Sequence, residues 1–128
     1  MSLHARIVTT KTLEPGDSVG YDRAFVAQRK TRTAVLPLGY ADGYPRSASG
    51  KGHVLVGGKR CPILGRVSMD CIVIDVTGVE GCEVGDEAVL LGGQGDEMIS
   101  TAELAELAGS CVEETSARLS RRLRREFA

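Results

Sequence analysis

Three groups of polar side chains in this sequence could carry chemistry. They are the three tyrosines, a polar stretch inside an apolar region, and a cluster of arginines near the C-terminus. The members are Tyr21, Tyr40 and Tyr44; Arg66-Val67-Ser68-Met69-Asp70; and Arg118, Arg121, Arg122, Arg124 and Arg125. A phenol can donate a hydrogen bond or, if its environment tunes it, move a proton. Each group could instead have a structural role, such as packing or an ion pair.

Two of the tyrosines, Tyr40 and Tyr44, lie in a stretch rich in glycine and proline, residues 36–46. This stretch follows an apolar run over residues 31–38 that is typical of a β-strand. Glycine permits backbone angles closed to other residues, and proline fixes φ. The pattern therefore predicts a rigid, irregular loop at the end of a strand, where sites are often built. Composition alone favours packing at a barrel rim as the role of both tyrosines.

The polar stretch and the arginine cluster both have structural alternatives. Arg66 and Asp70 have the same parity, so in a strand they would share one face, where an ion pair explains them as well as a site does. The arginine cluster could bind phosphate or RNA. The net charge of −1 argues against a nucleic-acid binder and favours a solvated helix end followed by a basic strand.

Length and composition exclude several classes of protein. A chain of 128 residues is long enough for one domain with a core. No apolar run approaches the ~20 residues of a membrane span, and residues 1–10 contain no signal-peptide core, so we expect a cytoplasmic protein. No metal site is predicted, because the two histidines are isolated and none of the four cysteines is in Cys-x-x-Cys spacing.

The signals for helices come late in the chain. Ser100 and Glu103 form a capping box, which predicts a helix that ends at Gly109. Ser110 and Glu113 form a second capping box, which predicts a helix over residues 110–119. Residues 120–127 are predicted to form a final strand or an arm.

Before residue 100 the sequence predicts strands and turns. The strands are predicted at residues 3–13, 18–27, 30–38, 53–56, 61–64, 65–76 and 87–91, of which 65–76 is the longest. Gly57-Gly58-Lys59-Arg60 predicts a hairpin turn, and Gly92-Gly93-Gln94-Gly95 a turn after the last strand. Short strands without intervening helices predict a mainly β fold. We expect a Greek-key-like closed or partly closed β barrel, residues 1–128, with one or two short helices near the C-terminus.

Four segments together resemble the C-terminal domain of alanine racemase. They are Val19-Gly20-Tyr21, Gly39-Tyr40-Ala41-Asp42-Gly43-Tyr44-Pro45-Arg46, Gly65-Arg66-Val67-Ser68-Met69-Asp70 and Val84-Gly85-Asp86-Glu87-Ala88-Val89-Leu90-Leu91-Gly92. Their order and spacing also match, and the resemblance covers residues 3–127. The second motif followed by the Met-Asp motif is highly specific.

The resemblance implies one part of a two-domain enzyme that interconverts L- and D-alanine for peptidoglycan precursors. In that family an N-terminal (β/α)8 barrel holds pyridoxal 5'-phosphate on a lysine. The C-terminal domain belongs to a head-to-tail homodimer and reaches the partner's active site. None of this chain's four lysines matches the cofactor lysine, so the isolated domain is expected to be inactive. The implied partners are the missing barrel, a second subunit and a small amino acid, with no nucleic acid and no membrane.

The resemblance also implies roles for individual residues. Tyr21 matches the catalytic tyrosine, which exchanges the α-proton on one face of the substrate. The backbone N–H of Met69 matches the donor that holds the substrate carboxylate, and Tyr40 matches a tyrosine that narrows the substrate entrance. Three charged residues match, or lie beside, the corridor that leads to this entrance: Arg46, Arg66 and Asp70.

One departure from the family pattern concerns the cofactor phosphate. Glu113 occupies the position of a tyrosine that in the family contacts this phosphate, and a carboxylate would repel it. The cofactor-binding residues of this chain therefore stay unknown. Serine or another amino acid is an alternative substrate, and a small β-barrel RNA-binding module or a purely structural dimerisation domain is an alternative function.

Overall fold

The computed structural model describes residues 1–20 and 23–126, most of which lie in short antiparallel strands and the turns between them. The strands are β1 (Leu3–Arg6), β2 (Thr9–Leu13), β3 (Ser18–Val19), β4 (Phe25–Val26), β5 (Thr31–Leu36), β6 (His53–Val56), β7 (Lys59–Leu64), β8 (Ile72–Asp75), β9 (Glu87–Gln94) and β10 (Glu97–Ile99). The helices that lie wholly within the described residues are α1 (Thr101–Ala108), α2 (Val112–Ala117) and two short 3-10 helices, Tyr40–Asp42 and Arg46–Ala48. The predicted mainly β fold with short helices near the C-terminus is confirmed.

Eight strands form one sheet, in the order β1-β9-β6-β7-β8-β5-β2 with β10 paired to β9. Strands β3 and β4 form a separate hairpin. The edge strands β1 and β2 are consecutive in the chain and are joined only by Ile7 and Val8. No strand pairing within the described part of the chain links these two edges, so the sheet is not closed.

The prediction of a single first strand over residues 3–13 is wrong. The strand breaks at Ile7, whose N–H donates to Asp86 O at 3.0 Å, and at Val8, whose N–H donates to Val35 O at 3.0 Å. The two halves therefore pair with different partners, β1 with β9 and β2 with β5. The partner strands are remote in sequence, so local composition did not reveal the break.

The prediction that residues 65–76 form the longest strand is also wrong. Gly65 has a left-handed φ of 67° and follows the last residue of β7, and the next strand, β8, begins only at Ile72. The longest strand is β9, with eight residues. It runs through the predicted glycine-rich turn because Gly92 and Gly93 pair with β10.

The local signals for one hairpin and one helix are confirmed. Gly57 and Gly58 connect β6 to β7 with φ values of 59° and 74°, as a tight hairpin turn requires. The Ser100 hydroxyl accepts a hydrogen bond from Glu103 N at 3.0 Å and caps α1, which ends at the left-handed Gly109.

The second helix begins later than predicted. Ser110 N donates to Ala105 O at 3.0 Å, so this residue still belongs to the C-terminal turn of α1 and cannot cap α2. Cys111 is the N-cap instead, and α2 ends at Ala117. Residues 120–126 form turns and coil, so of the two predictions for this segment the arm is confirmed and the strand is wrong. Phe127 lies outside the described residues.

The core contains apolar side chains from the strands, from the loop after β5 and from helix α1. Its fully buried side chains include Leu36, Val54, Ile72, Ile74, Leu90 and Leu104. Removing these apolar surfaces from water is the main contribution to the stability of the fold. None of the described helices has the length and apolar character to cross a membrane.

Helix α1 also fixes the loop that follows β5. Arg60 on β7 holds the helix through Glu103, with Nη1 at 2.6 Å from the carboxylate. This hydrogen bond lowers the pKa of Glu103. The Ser47 hydroxyl donates to Leu107 O at 2.6 Å and so ties the loop to the other end of α1.

Tyr44, in the same loop, belongs to the core and is 2% exposed. Its hydroxyl finds no hydrogen-bond partner among residues 1–20 and 23–126. Burial, with a smaller contribution from the charge of Glu103, raises the pKa of this phenol. The neutral phenol therefore makes its full contribution to stability at pH values below the unfolded-state pKa of about 10. This contribution declines as the pH rises above that value.

We predict that Tyr44→Phe leaves the free energy of unfolding at pH 7 unchanged or raises it by up to about 1 kcal/mol, because it removes a buried donor without a partner. The same variant should lose less stability than the parent between pH 9 and pH 11. Urea unfolding across this pH range measures both effects. A loss of more than about 1 kcal/mol at pH 7 would show that the hydroxyl has a favourable partner.

Candidate functional site

The loop after β5 contains a tight turn around Tyr40. Residues Tyr40–Asp42 form a 3-10 helix, and Gly43 N donates to Tyr40 O at 3.1 Å. The Asp42 carboxylate accepts a hydrogen bond from Gly39 N at 3.1 Å and closes the turn from within. Gly43 has φ 98°, a left-handed conformation that favours glycine.

The segment between β7 and β8 has no regular secondary structure, but hydrogen bonds fix its backbone. Val67 is 1% exposed, and its N–H donates to the Ser49 hydroxyl at 2.8 Å. Ser68 N donates to Cys71 O at 3.1 Å. Because this segment is not a strand, the predicted sharing of one strand face by Arg66 and Asp70 does not apply.

Backbone hydrogen bonds join these two segments. Tyr40 N donates to Ser68 O, and Ala41 N donates to Met69 O, both at 3.0 Å. The sheet brings them together, because Leu36 at the end of β5 pairs with Ile72 at the start of β8. The two motifs, nearly thirty residues apart in the sequence, therefore form one surface.

Glycine is required where these backbones meet. A β-carbon on Gly39 would overlap the carbonyl oxygen of Ser68 and lie 2.5 Å from that of Met69. On the other side of the turn, a β-carbon on Gly43 would overlap the carbonyl oxygen of Arg118.

The C-terminal arm, residues 118–126, covers the second side of the turn. Ser120 N donates to the backbone carbonyl of Asp42 at 2.9 Å. The Arg122 guanidinium places Nε 3.3 Å from the Asp42 carboxylate and Nη1 3.6 Å from that of Asp70. The Asp42 side chain is 4% exposed and that of Asp70 63% exposed, so one arginine connects an interior carboxylate to a surface one.

The structure brings several of the predicted site residues together. Tyr40 is 45% exposed and Met69 52% exposed, and they lie on the two bonded segments with Asp70 next in the chain. Within the described residues, no hydrogen bond uses the Met69 N–H. Its predicted role, donation to the substrate carboxylate, stays a prediction.

The predicted corridor arginines lie on either side of Ser49. Its hydroxyl donates to Arg46 O at 2.5 Å and accepts from Val67 N at 2.8 Å, which brings Arg46 near the segment that contains Arg66. Both arginine side chains are exposed. Ser49 was not predicted as a site residue, and no local pattern in the sequence indicated that it would connect these segments.

Tyr21, the predicted catalytic residue, lies outside the described residues. The strands before and after it, β3 and β4, form a hairpin. A β-carbon on Gly65 would lie 3.4 Å from Val19 O and 3.9 Å from the Ala24 β-carbon. Val19 and Ala24 therefore lie close to Gly65, at the start of the segment that contains Met69.

The arginine cluster is largely engaged in contacts within the chain. Arg118 pairs with Glu114, and Arg124 with Glu126 at 3.2 Å. Arg125 donates to Leu119 O at 3.1 Å. These contacts, and those of Arg122 described above, favour the structural explanation of the cluster over RNA binding.

Glu113 is exposed in the first turn of α2. Its predicted place beside a cofactor phosphate stays a prediction. Within the described part of the chain, no group of three or more His, Cys, Asp or Glu side chains could hold a metal ion.

We predict that Gly39→Ala destabilises the protein by about 2 kcal/mol or more, because the new methyl group overlaps two backbone carbonyls that cannot move independently. Gly78→Ala is the matched control: a β-carbon there has no atom within 4 Å, so its cost should stay within about 0.5 kcal/mol. Urea unfolding of both variants measures the difference. Equal costs would mean that the close approach of the two segments is absent in solution.

Comparisons with known proteins agree with the motifs. The model of the family described as "Alanine racemase, C-terminal domain" matches residues 1–127. An alanine racemase of Halothermothrix orenii is 48% identical over 122 residues, which cover 95% of this chain and 32% of that protein. An Enterococcus faecalis protein named amino-acid racemase is 43% identical over 122 residues, 94% of this chain and 17% of that protein.

A solved structure of an alanine racemase also matches this chain. The crystal structure of alanine racemase from Bartonella henselae with covalently bound pyridoxal phosphate superposes with a TM-score of 0.92 at 29% identity. The match covers 99% of this chain and 34% of that one. The chain thus spans 17% to 34% of the length of these three relatives. A match from residue 1 to 127, with the two bonded motifs in place, shows that this chain belongs to the alanine racemase C-terminal domain family.

Proposed function

We propose that this chain is the C-terminal β domain of a pyridoxal-phosphate-dependent alanine racemase, which interconverts L- and D-alanine for peptidoglycan precursors. The observation that supports this most directly is the pair of hydrogen bonds from Tyr40 N and Ala41 N to Ser68 O and Met69 O. They join the two motifs that are most specific to the family into one exposed surface.

In this proposal each predicted residue acts on the substrate amino acid. Tyr21 moves the α-proton on one face, and the Met69 N–H donates to the substrate carboxylate. Tyr40 narrows the entrance. A free phenol has a pKa near 10, so a tyrosine base needs a neighbouring cation or donor. We propose that the barrel domain supplies that neighbour.

Three charged side chains complete the proposed corridor to the entrance: Arg46, Arg66 and Asp70. Their exposure supports this role, as does the position of Arg66 and Asp70 in the same short segment as Met69. Two arginines beside a path for a carboxylate-bearing substrate also favour its approach electrostatically.

The described residues of this chain do not fit the role of the cofactor lysine. All four lysines are exposed, and Lys59 Nζ donates to Gly78 O at 3.0 Å. Lys51 lines a surface cavity with Glu103 and Glu106, whose carboxylates would repel a phosphate. We propose that pyridoxal phosphate is bound by an N-terminal (β/α)8 barrel outside this chain.

The proposed assembly is a cytoplasmic head-to-tail homodimer in which this domain meets the partner subunit's active site. We further propose that the sheet approaches a Greek-key-like, partly closed barrel. The support for this is that its two edge strands, β1 and β2, are separated by only two residues in the chain.

A different substrate is the second candidate. Glu113 is an exposed carboxylate where the family pattern has a tyrosine. One relative at 43% identity is named amino-acid racemase rather than alanine racemase. Serine or another small amino acid is therefore the alternative to alanine.

We predict that Tyr21→Phe in the full-length enzyme lowers turnover of L-alanine by about 10²-fold or more, because it removes a proton-transfer group. The absorbance of the bound cofactor should not change, since the cofactor is held elsewhere. The assay follows racemisation of L-alanine and L-serine with added pyridoxal phosphate.

Tyr44→Phe is the matched control, because it removes a hydroxyl from a core tyrosine and should keep full turnover. Activity on serine alone would favour the second candidate, in which serine rather than alanine is the substrate. Normal turnover by Tyr21→Phe would remove Tyr21 as the base, and a parent enzyme that binds cofactor but racemises neither amino acid would contradict the proposed function.

A further inference from the structure

Arg122 connects the two halves of the proposed substrate surface. Its Nε lies 3.3 Å from the carboxylate of Asp42, and its Nη1 lies 3.6 Å from that of Asp70. Asp42 ends the turn that begins with Tyr40, and Asp70 follows Met69 directly. Both contacts are ion pairs, and the distance to Asp70 is longer than a hydrogen bond. A guanidinium is planar and spreads its charge over a fixed fork, so it can face two carboxylates at once more readily than an ammonium can.

The carboxylate of Asp42 anchors this bridge. It is 4% exposed, and it also accepts the hydrogen bond from Gly39 N that closes the turn. Among the residues that the structure describes, loss of Arg122 would leave this buried carboxylate with the Gly39 N–H as its one remaining partner. By contrast, the Asp70 side chain is 63% exposed, so it stays hydrated with or without the arginine.

The arm itself has a second attachment. Ser120 N donates to the carbonyl of Asp42 at 2.9 Å, and the Arg118 carbonyl lies against Gly43. The arm can therefore stay in place without the Arg122 side chain. A substitution of Arg122 can therefore test whether this residue places the two motifs without detaching the arm.

We propose that Arg122 is a positioning residue that fixes the Met69 N–H relative to Tyr40 and so sets the affinity for the substrate carboxylate. This inference rests on the proposed function, because it assigns the ligand of that surface. Arg122 makes no contact with the substrate in this account and acts through Asp42 and Asp70.

The test compares Arg122→Ala with Arg124→Ala in the full-length enzyme. Arg124 belongs to the same arm but pairs with the exposed Glu126, so its loss should change neither kinetic constant. For Arg122→Ala we expect KM for alanine to rise about tenfold or more while kcat stays within about threefold, because ground-state and transition-state binding are weakened together. Unchanged KM would overturn the proposal.

Arg122→Lys tests the bridge against charge alone. A lysine keeps the positive charge but cannot hold both carboxylates in a fixed geometry. We expect its KM to stay close to that of Arg122→Ala. Full recovery of the parent KM would show that Arg122 acts only through its charge and would overturn the positioning role.

Amide hydrogen exchange provides a readout that does not depend on activity. In Arg122→Ala, but not in Arg124→Ala, the amides of Tyr40 and Ala41 should lose protection, because the segments that they join are no longer held by the arginine. If the parent enzyme proves inactive on alanine and serine, the proposed function fails, while amide exchange still decides whether Arg122 positions the two segments. Unchanged protection in Arg122→Ala would overturn it.

Discussion

The site depends on the buried carboxylate of Asp42. Burying an unpaired carboxylate is costly, and here a backbone donor from Gly39 at 3.1 Å and the guanidinium of Arg122 at 3.3 Å offset that cost. The backbone carbonyl of the same residue accepts the hydrogen bond from Ser120. One side chain and its own peptide therefore join the loop after β5 to the C-terminal arm.

Sheet register explains why this loop meets the Met-Asp motif. Strands β5 and β8 are antiparallel neighbours, so the chain leaves β5 beside the point where it enters β8. Two irregular segments on adjacent strand ends can then share hydrogen bonds while the strands keep their own ladder. Groups that must bind a small substrate gain from such rigid support, because little motion has to be lost on binding. The fold thus holds the backbone at Tyr40 and at Met69 in place, as the substrate-binding role proposed for these residues would require.

The sequence predicted correctly those features that depend on residues close together in the chain. The hairpin at Gly57-Gly58 and the cap at Ser100 follow from residues a few positions apart, and the structure confirms both. The continuous strands predicted over residues 3–13 and 65–76 failed because their limits are set by distant partners, β9 and β5 for the first and the turn around Tyr40 for the second. The bridge from Asp42 to Arg122 was missed for the same reason, since eighty residues separate its ends and the arginine was one of five in a cluster. The roles of Tyr21 and Met69 came from family motifs, and no local pattern predicted them.

The most direct test of the central claim is a crystal structure of the full-length enzyme with a non-reactive alanine analogue bound. We predict that the analogue's carboxylate accepts a hydrogen bond from the Met69 N–H. We also predict that Tyr40 N stays bonded to Ser68 O and that Arg122 still bridges Asp42 and Asp70. A carboxylate bound away from Met69, or a separation of the two motifs in the complex, would contradict the account.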